Sequence, residues 1–297
     1  MLPDNPLRKA IKNPRAIPTF LRYNARNNIK QIVTTAVGTN IFDKDWDICI
    51  VLDACRADLA DEVFPKSEID ASPGRIWSVA PQSHQWLSRT FTPRHSTIIS
   101  DRAYITGNTF SNDVDYLQNL AKLDPVWEYA WDQDIGTIPP RPITDQAIRA
   151  HRSNKYDRIV VHYMQPHFPA LTGGFGSRIN PDNSNWESSV WEELEAGNLA
   201  REEVWDVYEQ NLKEVLQEVR LLLENVEGMV VITADHGNCF GEFGEWGHLR
   251  NSINPYVLRV PWYTTQARDQ QTHSPKKYDK SHIKSDRESK LRALGYL

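Results

Sequence analysis

Short apolar runs that end in a charged or polar residue recur along the chain. The run at 230–233 is followed by Asp235 and His236, and the run at 48–52 is followed by Asp53. Apolar, β-branched runs bounded in this way predict strands that are buried on both faces of a parallel sheet. Further strands are predicted at 75–80, 102–106, 127–131, 157–163 and 256–264. The pattern therefore predicts an α/β protein with a mostly parallel central sheet.

Helical periodicity is strongest between residues 201 and 225. Apolar side chains recur there every three or four residues in one stripe, which includes Tyr208 and Leu212. Such a stripe is typical of a helix that packs on a core, so we assign these residues no chemistry. Polar composition predicts a long loop at 171–185 and a disordered tail at 266–285. Other helices are predicted to end near Phe64 and to span 113–123, 144–152 (with Thr144 as its cap) and 286–294.

The composition of the 297 residues is ordinary for a globular protein, with 40% hydrophobic and 25% charged residues. No apolar run approaches the ~18 residues of a membrane span, and the first residues lack the apolar core of a signal peptide. We therefore expect a cytoplasmic protein. The three cysteines have neither metal-finger nor disulfide spacing. We expect Cys49 in the core, whereas Cys55 and Cys239 are candidate neighbours of a site.

Residues 1–44 form a basic arm ahead of the predicted sheet. The first thirty residues carry seven Lys or Arg side chains and one acid, Asp4. The arm is either a solvated helix that packs on the domain or a peripheral contact with an anionic membrane surface. The net charge of the whole chain is −5, so the remainder is acidic, and we expect no nucleic-acid partner.

Polar residues at two strand ends are candidate metal ligands. In open α/β sheets, ligands bind beyond the carboxyl ends of the strands. Asp53, Asp235 and His236 are expected there, and a carboxylate beside an imidazole suits a divalent cation. The alternative role for each aspartate is a helix N-cap.

Three further side chains stand in positions that suit catalysis. Ser83 follows a predicted strand at the start of a helix, whose amides can hold an anion, with N-capping as the alternative. His167 follows another predicted strand and is held between two prolines, with a structural role as the alternative. The glycine-rich loop 238–248 is expected to bring His248 back near Asp235.

In their order along the chain, these residues resemble the alkaline phosphatase/sulfatase superfamily over residues 45–265. The long helix centred on Tyr208 and the closing sequence 291–297 are also similar to superfamily sequences. The resemblance implies a three-layer α/β sandwich with a mostly parallel sheet. It makes 45–265 a catalytic domain that follows the arm at 1–44 and precedes a polar tail, 266–297, with a final helix.

The resemblance also implies a metal site. Asp53, Asp235 and His236 would hold a divalent cation, and Ser83 would complete the site and act as the nucleophile. Mixed nitrogen and oxygen donors favour Zn²⁺ or Mn²⁺, with Mg²⁺ and Ca²⁺ as alternatives. One or two ions per chain are expected.

The implied reaction is displacement at phosphorus or sulfur through a covalent seryl intermediate. His167 and His248 would contact the transferred group or bind a second cation, so His248 is both a candidate catalytic residue and a candidate metal ligand. Water as the acceptor gives hydrolysis, and an acceptor hydroxyl gives transfer. The substrate would be a small-molecule, glycan or lipid-headgroup ester.

The sequence also departs from parts of the superfamily. No Cys/Ser-x-Pro-x-Arg motif surrounds Ser83, so a formylglycine sulfatase is disfavoured relative to the phosphatase, phosphodiesterase and phosphoethanolamine-transferase branches. Ser78 and Thr90 are alternative nucleophiles, and Arg56 either stabilises anionic charge or forms a structural ion pair. A phosphomutase is disfavoured because the segment 171–200 is short for a cap domain. The remaining alternative is a catalytically silent relative that binds an anionic glycan or lipid headgroup.

Overall fold

The structure is a computed structural model that describes residues 36–172, 189–280 and 287–294, together with Lys30 and Thr34. Most of the predicted N-terminal arm and most of the predicted loop at 171–185 lie outside the described residues. Residues 281–286 and the last three residues also lie outside them.

The described strands form one large sheet and one small hairpin. In the large sheet the order is β2-β9-β6-β1-β5-β3-β4, and β7 pairs with β8. The five strands from β6 to β4 run parallel, β9 is antiparallel to β6, and β2 is antiparallel to β9. The predicted α/β fold with a mostly parallel sheet is therefore confirmed. The strands are β1 Ile48–Leu52, β2 Arg75–Trp77, β3 Arg102–Thr106, β4 Lys122–Pro125, β5 Arg158–Tyr163, β6 Gly228–Thr233, β7 Cys239–Phe240, β8 Trp246–Gly247 and β9 Arg259–Ala267.

Helices cover both faces of the sheet. The described helices are α1 Ala57–Val63, α2 Ser83–Thr90, α3 Ser96–Ile99, α4 Trp127–Ala130, α5 Pro140–Arg152, α6 Val190–Glu195, α7 Arg201–Leu223, α8 Pro255–Leu258 and α9 Arg287–Ala293. Successive side chains of a strand point to opposite faces. In β1, Ile48, Ile50 and Leu52 therefore belong to the core under α1, α5 and α7, whereas Cys49 and Val51 belong to the core under α2. The predicted three-layer sandwich is confirmed.

Two elements beside β4 differ from the sequence prediction. Residues 127–131, predicted as a strand, form helix α4. Residues 113–123, predicted as a helix, contain a 3-10 helix, Asp115–Asn119, and the start of β4. The apolar spacing suits either element, and the tertiary contacts of Trp127 decide between them. Its ring is fully buried, and its Nε1 donates a hydrogen bond to Ser111 Oγ at 3.0 Å.

Two predicted element boundaries were also wrong. Helix α5 begins at Pro140, where proline is tolerated because the first helical N–H has no partner. Thr144 therefore lies inside the helix and is not its cap, and its Oγ1 contacts the Tyr163 hydroxyl at 2.8 Å. The strand predicted at 256–264 begins only at Arg259, because α8 precedes it.

The first part of the C-terminal tail is ordered against α5, whereas the sequence predicted disorder. The fully buried carboxylate of Asp145 contacts His273 Nε2 at 2.6 Å and accepts a hydrogen bond from the Tyr278 hydroxyl at 2.8 Å. A buried carboxylate needs such partners, and in this fold the tail supplies them.

Candidate active site

Three strand ends bring candidate residues to one edge of the sheet. Strand β1 pairs in parallel with β6 on one side and with β5 on the other. Asp53 follows β1, Asp235 follows β6, and His167 follows β5, so all three lie beyond the carboxyl ends. All three residues are at most 3% exposed. The site occupies the edge at which open α/β sheets bind ligands.

The hydroxyl of Ser83 faces the ends of β1 and β6. Ser83 is the first residue of α2, and its Oγ lies 3.2 Å from both Asp53 Oδ2 and His236 Nε2. The N-cap of α2 is Gln82, so Ser83 does not serve as the helix cap. His236 Nδ1 lies 3.0 Å from the carbonyl oxygen of Gly237. That contact assigns the ring proton to Nδ1 and leaves the Nε2 lone pair facing Ser83.

The two alternative hydroxyls make different contacts. Ser78 Oγ donates to the carbonyl oxygen of Ala80 at 2.8 Å and to that of Asp235. Thr90 ends α2, and its buried Oγ1 has no hydrogen-bond partner. The contacts with side chains of candidate metal ligands therefore favour Ser83 among these three residues.

Three buried ligand atoms meet in the site without hydrogen-bond partners among the described residues. They are Asp53 Oδ1, Asp235 Oδ2 and His162 Nε2, and the three residues offer ligand atoms within 4.8 Å of one another. The other oxygen of each carboxylate is occupied. Asp53 Oδ2 accepts from Asn108 Nδ2 at 2.8 Å, and Asp235 Oδ1 accepts from the amide of Ala54 at 3.0 Å. Buried carboxylates without partners are unfavourable unless a cation balances them, so this donor set fits a divalent metal ion.

His162 and Asn108 were missed in the sequence. His162 lies inside the apolar run of β5, and Asn108 follows β3. The Tyr104 hydroxyl lies 2.7 Å from His162 Nδ1 and fixes the orientation of the ring. As a result, Nε2 lies 3.5 Å from Asp53 Oδ2 and 3.9 Å from Asp235 Oδ2. The available signal was a histidine within a buried strand, where ionisable side chains are rare.

The protonation states in the site suit metal ligation. Burial alone would raise the pKa of Asp53, but the neighbouring imidazoles of His162, His167 and His236 lower it below its usual range. Burial lowers the pKa of His167. Burial, together with the charges of His236 and His167, lowers the pKa of His248 well below its usual range. An ionised carboxylate and neutral imidazoles are the forms that bind metal ions.

The hairpin β7–β8 returns the chain to the site, as the glycine-rich loop predicted. The ring of His248, which follows β8, lies 4.6 Å from the His236 ring, measured between centroids. His248 Nε2 also lies 3.1 Å from His167 Nε2. His167 Nδ1 lies 2.5 Å from the carbonyl oxygen of Phe168, which assigns its proton to Nδ1. The two Nε2 atoms therefore share one proton or turn their lone pairs toward a common ligand.

The contacts of Arg56 favour the structural ion pair over an anion-binding role. The side chain is 2% exposed and bonds Asp58 through Nε at 2.9 Å and Nη2 at 2.6 Å. Its Nη1 donates to Glu242 Oε1 at 2.9 Å and to the carbonyl oxygen of Asn238 at 3.0 Å. Arg56 thus links helix α1, through Asp58, to the segment that follows His236, through Asn238 and Glu242.

The cysteines contribute no ligand. Cys49, Cys55 and Cys239 are buried, and none forms a disulfide. Burial raises the pKa of all three thiols, that of Cys239 to about 12. None of the three belongs to the described group of candidate ligands that lie within 4.8 Å of one another, so we assign them to the core.

Helix α7 holds both sides of the site through two buried polar side chains one turn apart. The Tyr208 hydroxyl donates to the carbonyl oxygen of Ala54 and accepts from the amide of Arg56 at 3.2 Å. Ala54 has a left-handed backbone (φ 58°), so this clamp supports the turn that carries Asp53.

The second of these side chains is Asn211, which holds the loop that carries His167. Its Nδ2 donates to the carbonyl oxygens of Pro166 at 3.0 Å and His167 at 3.1 Å, and its Oδ1 accepts from the amide of Leu171 at 3.1 Å. The helix to which the sequence analysis assigned no chemistry therefore carries groups that position the site without reacting in it.

We expect Asn211→Leu to lower kcat/KM for an ester substrate by about 10–100-fold, because the His167 loop loses its three hydrogen bonds. The matched control is Asn225→Leu. Asn225 is also buried and hydrogen-bonded, at the C-terminal end of α7, and its partners include Arg152 and His273. Both variants should lose about 1–3 kcal/mol in the free energy of unfolding. Equal kcat/KM values for the two variants would show that Asn211 supports only the fold.

Comparisons with known proteins identify the fold. No protein-family model and no curated protein matches the chain. Among solved structures, it matches the soluble domain of lipooligosaccharide phosphoethanolamine transferase A from Neisseria meningitidis at 14% identity and a TM-score of 0.50, covering 77% of this chain and 80% of that one. The chain has the alkaline phosphatase/sulfatase fold.

Other structures with this fold show the same low identity. The integral membrane protein lipooligosaccharide phosphoethanolamine transferase A from Neisseria meningitidis is 13% identical, with a TM-score of 0.53, and the match covers 90% of this chain and 61% of that one. The Zn complex of the C-terminal periplasmic domain of EptC from Escherichia coli is 11% identical, with a TM-score of 0.49, and the match covers 75% and 73%. Two sulfatases match at TM-scores of 0.41 and 0.39.

The comparisons contradict the prediction of a cytoplasmic protein. The Neisseria transferase that matches at a TM-score of 0.53 is an integral membrane protein. The prediction used only the lack of an apolar span and of a signal peptide in the sequence, and such a lack does not specify a compartment. Within the described part of the chain, no helix has the length and apolar character that crossing a membrane requires.

Proposed function

We propose that this chain is a metal-dependent transferase or hydrolase that acts on phosphate or sulfate esters through a covalent intermediate on Ser83. The observation that carries the proposal is the position of Ser83 Oγ, 3.2 Å from both Asp53 Oδ2 and His236 Nε2. Beside it lie the partnerless ligand atoms of Asp53, Asp235 and His162. Phosphate esters are favoured over sulfate esters, because the motif of formylglycine sulfatases does not surround Ser83.

The metal would be held by Asp53, Asp235 and His236, with His162 as a fourth candidate ligand. When bound, a divalent cation lowers the pKa of a coordinated hydroxyl and neutralises charge on the transferred group. Zn²⁺ or Mn²⁺ suits this mixed donor set. The His236 Nε2 lone pair already faces the site, because Nδ1 lies at the Gly237 carbonyl oxygen.

The residues of the chain then have distinct tasks. Ser83 Oγ gives its proton to water and forms the new bond to phosphorus, while the bond from phosphorus to the leaving oxygen breaks and that oxygen takes a proton from water. The neutral imidazoles of His167 and His248, whose Nε2 atoms lie 3.1 Å apart, contact the transferred group. Attack on the seryl ester by water completes hydrolysis, and attack by an acceptor hydroxyl completes transfer. Helix α2 begins at Ser83, so its N-terminal amides stabilise the anionic group.

A lipid headgroup or a glycan is the proposed substrate class. The solved structures that support this choice are the transferases whose names specify lipooligosaccharide. Those names describe the matched proteins, and the present chain spans 61% of the full-length transferase.

The test is turnover and adduct formation by the Zn²⁺- or Mn²⁺-loaded full chain. We would assay 4-nitrophenyl phosphate, bis(4-nitrophenyl) phosphate, 4-nitrophenyl sulfate and phosphatidylethanolamine vesicles, and measure the intact mass after acid quenching. We expect turnover of at least one phosphate ester and an adduct mass that maps to the peptide containing Ser83. A metal-loaded protein that turns over none of the four and forms no adduct would instead favour the catalytically silent relative.

A further inference from the structure

The segment 242–259, which follows Asp235 and His236 in the chain, exposes several large apolar side chains to solvent. All of its residues are described, and the exposed ones are Phe243, Gly244, Leu249, Arg250, Ile253, Pro255, Tyr256 and Arg259. The exposed set contains apolar residues, glycine, proline and arginine, but no acid. We call its six apolar and arginine side chains, Phe243, Leu249, Arg250, Ile253, Tyr256 and Arg259, the rim.

The polar residues of this segment are turned inward. Ser252 Oγ donates to Glu245 Oε2 at 2.5 Å, and Asn254 Nδ2 donates to the carbonyl oxygen of Glu242 at 3.0 Å. Glu242 also accepts from Arg56, so its charge is neutralised within the protein. A soluble loop normally exposes such polar groups, whereas here they are bonded inward while Phe243, Leu249 and Ile253 are exposed.

The exposure of the rim is concentrated at one end of the molecule. Phe243 is 83% exposed, Leu249 53% and Ile253 46%. Trp77, another exposed aromatic residue, is the register partner of Arg259 and lies at the same end of the sheet. Clustered exposed apolar side chains of this kind mark an interaction surface.

One exposed apolar residue lies at the end of the sheet that is opposite the site. Met229 is an exposed large apolar residue at the start of β6, whereas Asp235 and the site follow the end of that strand. The exposed apolar side chains of 242–259 therefore lie at the end that carries the site.

The rim borders the site directly. Phe243 lies between β7 and β8, and Leu249 follows His248. Phe243 also has a left-handed backbone (φ 56°, ψ 24°), which is unfavourable for a residue with a Cβ atom. Within the described residues, neither burial nor backbone preference accounts for an aromatic residue there, so its exposed ring points to a contact beyond them.

We propose that the rim docks on an anionic lipid bilayer and turns the site toward the headgroups. Single apolar side chains can insert between lipids, while Arg250 and Arg259 attract phosphate groups. The lack of exposed acid in 242–259 removes the repulsion that an anionic surface would otherwise produce. This surface goes beyond the proposed function, because docking does not require the chemistry of Ser83.

The experiment is co-sedimentation of the full chain with phosphatidylcholine vesicles that contain or lack phosphatidylglycerol. The test variant is F243N/L249N/I253N, in which every changed side chain is exposed and asparagine tolerates the left-handed backbone at 243. The matched control is Met229→Asn, which removes an exposed apolar side chain at the other end of the sheet. We expect the wild type and the control to bind phosphatidylglycerol vesicles equally, and the triple variant to bind about tenfold more weakly or less.

A second variant tests the charges. R250Q/R259Q should lose the preference for phosphatidylglycerol while keeping the weaker binding to phosphatidylcholine. Ser83→Ala is measured in parallel and should bind vesicles like the wild type, so a failure of the proposed chemistry is distinguishable from a failure of docking. Circular dichroism and thermal unfolding establish that each variant is folded.

Three outcomes would overturn the proposal. Wild-type protein that binds neither vesicle has no docking surface for lipid. A triple variant that binds like the wild type places the contact elsewhere, for example on the basic residues of 1–30. A wild-type dimer in light scattering that the triple variant loses would show that the rim pairs two copies of the chain.

Discussion

Ser83→Ala is expected to reduce turnover of an ester substrate by about 10³-fold or more, because it removes the proposed nucleophile. The ligand atoms of Asp53, Asp235 and His162 remain in place, so the metal content should match that of the wild type. The measurement is kcat on the best ester of the panel, with metal content determined on the same sample by elemental analysis. The adduct expected on the Ser83 peptide should disappear in the variant.

The matched control for this substitution is Thr90→Val. Thr90 ends the same helix that Ser83 begins, and its buried hydroxyl has no hydrogen-bond partner. Valine has nearly the same shape, so the control should keep both the fold and the turnover. If Ser83→Ala stays active while metal removal abolishes turnover, the nucleophile is another group, and Ser78 becomes the next candidate because its Oγ bonds the Asp235 carbonyl oxygen.

Asp235→Asn is expected to abolish tight metal binding. Asparagine preserves the shape and can still accept the Ala54 amide through its oxygen, but it lacks the charge of the buried Oδ2. A neutral amide is a much weaker ligand than a carboxylate for a divalent cation. Elemental analysis of the wild type after reconstitution should give about one or two equivalents of Zn or Mn, and the variant should lose them.

Asp145→Asn is the control for loss of a buried aspartate. Asp145 is fully buried like Asp235, but its partners are His273 and Tyr278 in the tail. This variant should be destabilised and should keep its metal. As a second readout, EDTA should lower the Tm of the wild type and of Asp145→Asn, but not that of Asp235→Asn. A wild-type protein that binds no metal after reconstitution would contradict the proposed site.

Much of the fold could be predicted from local sequence patterns, because the pattern of each strand or helix is confined to a few consecutive residues. Strands such as 48–52 and 230–233 are continuous apolar runs, and a parallel sheet must place their carboxyl ends at one edge. This constraint placed Asp53 and Asp235 together before any contact was known. The pattern failed at 127–131, where the aromatic residues suit a strand but the burial of Trp127 stabilises a helical turn.

The site itself needed the tertiary structure. His162 looks like a core position in sequence, because what makes it a candidate ligand is its distance to Asp53 and Asp235 on neighbouring strands. Asn211 lies in a helix that the sequence analysis assigned to the core, although its side chain bonds a loop more than forty residues away. Hydrogen bonds between distant segments leave no periodic trace in the sequence.

By itself, the sequence determined the α/β class, the mostly parallel sheet and the edge at which chemistry is expected, because hydrophobic periodicity and strand ends are local properties. Only the tertiary structure placed Ser83 Oγ 3.2 Å from both Asp53 Oδ2 and His236 Nε2. It also gave Arg56 its ion-pair partners and brought His248 Nε2 to 3.1 Å from His167 Nε2. Each of these contacts depends on the direction of a side chain and on the packing of segments that are far apart in the chain. Neither property can be read from a local stretch of sequence.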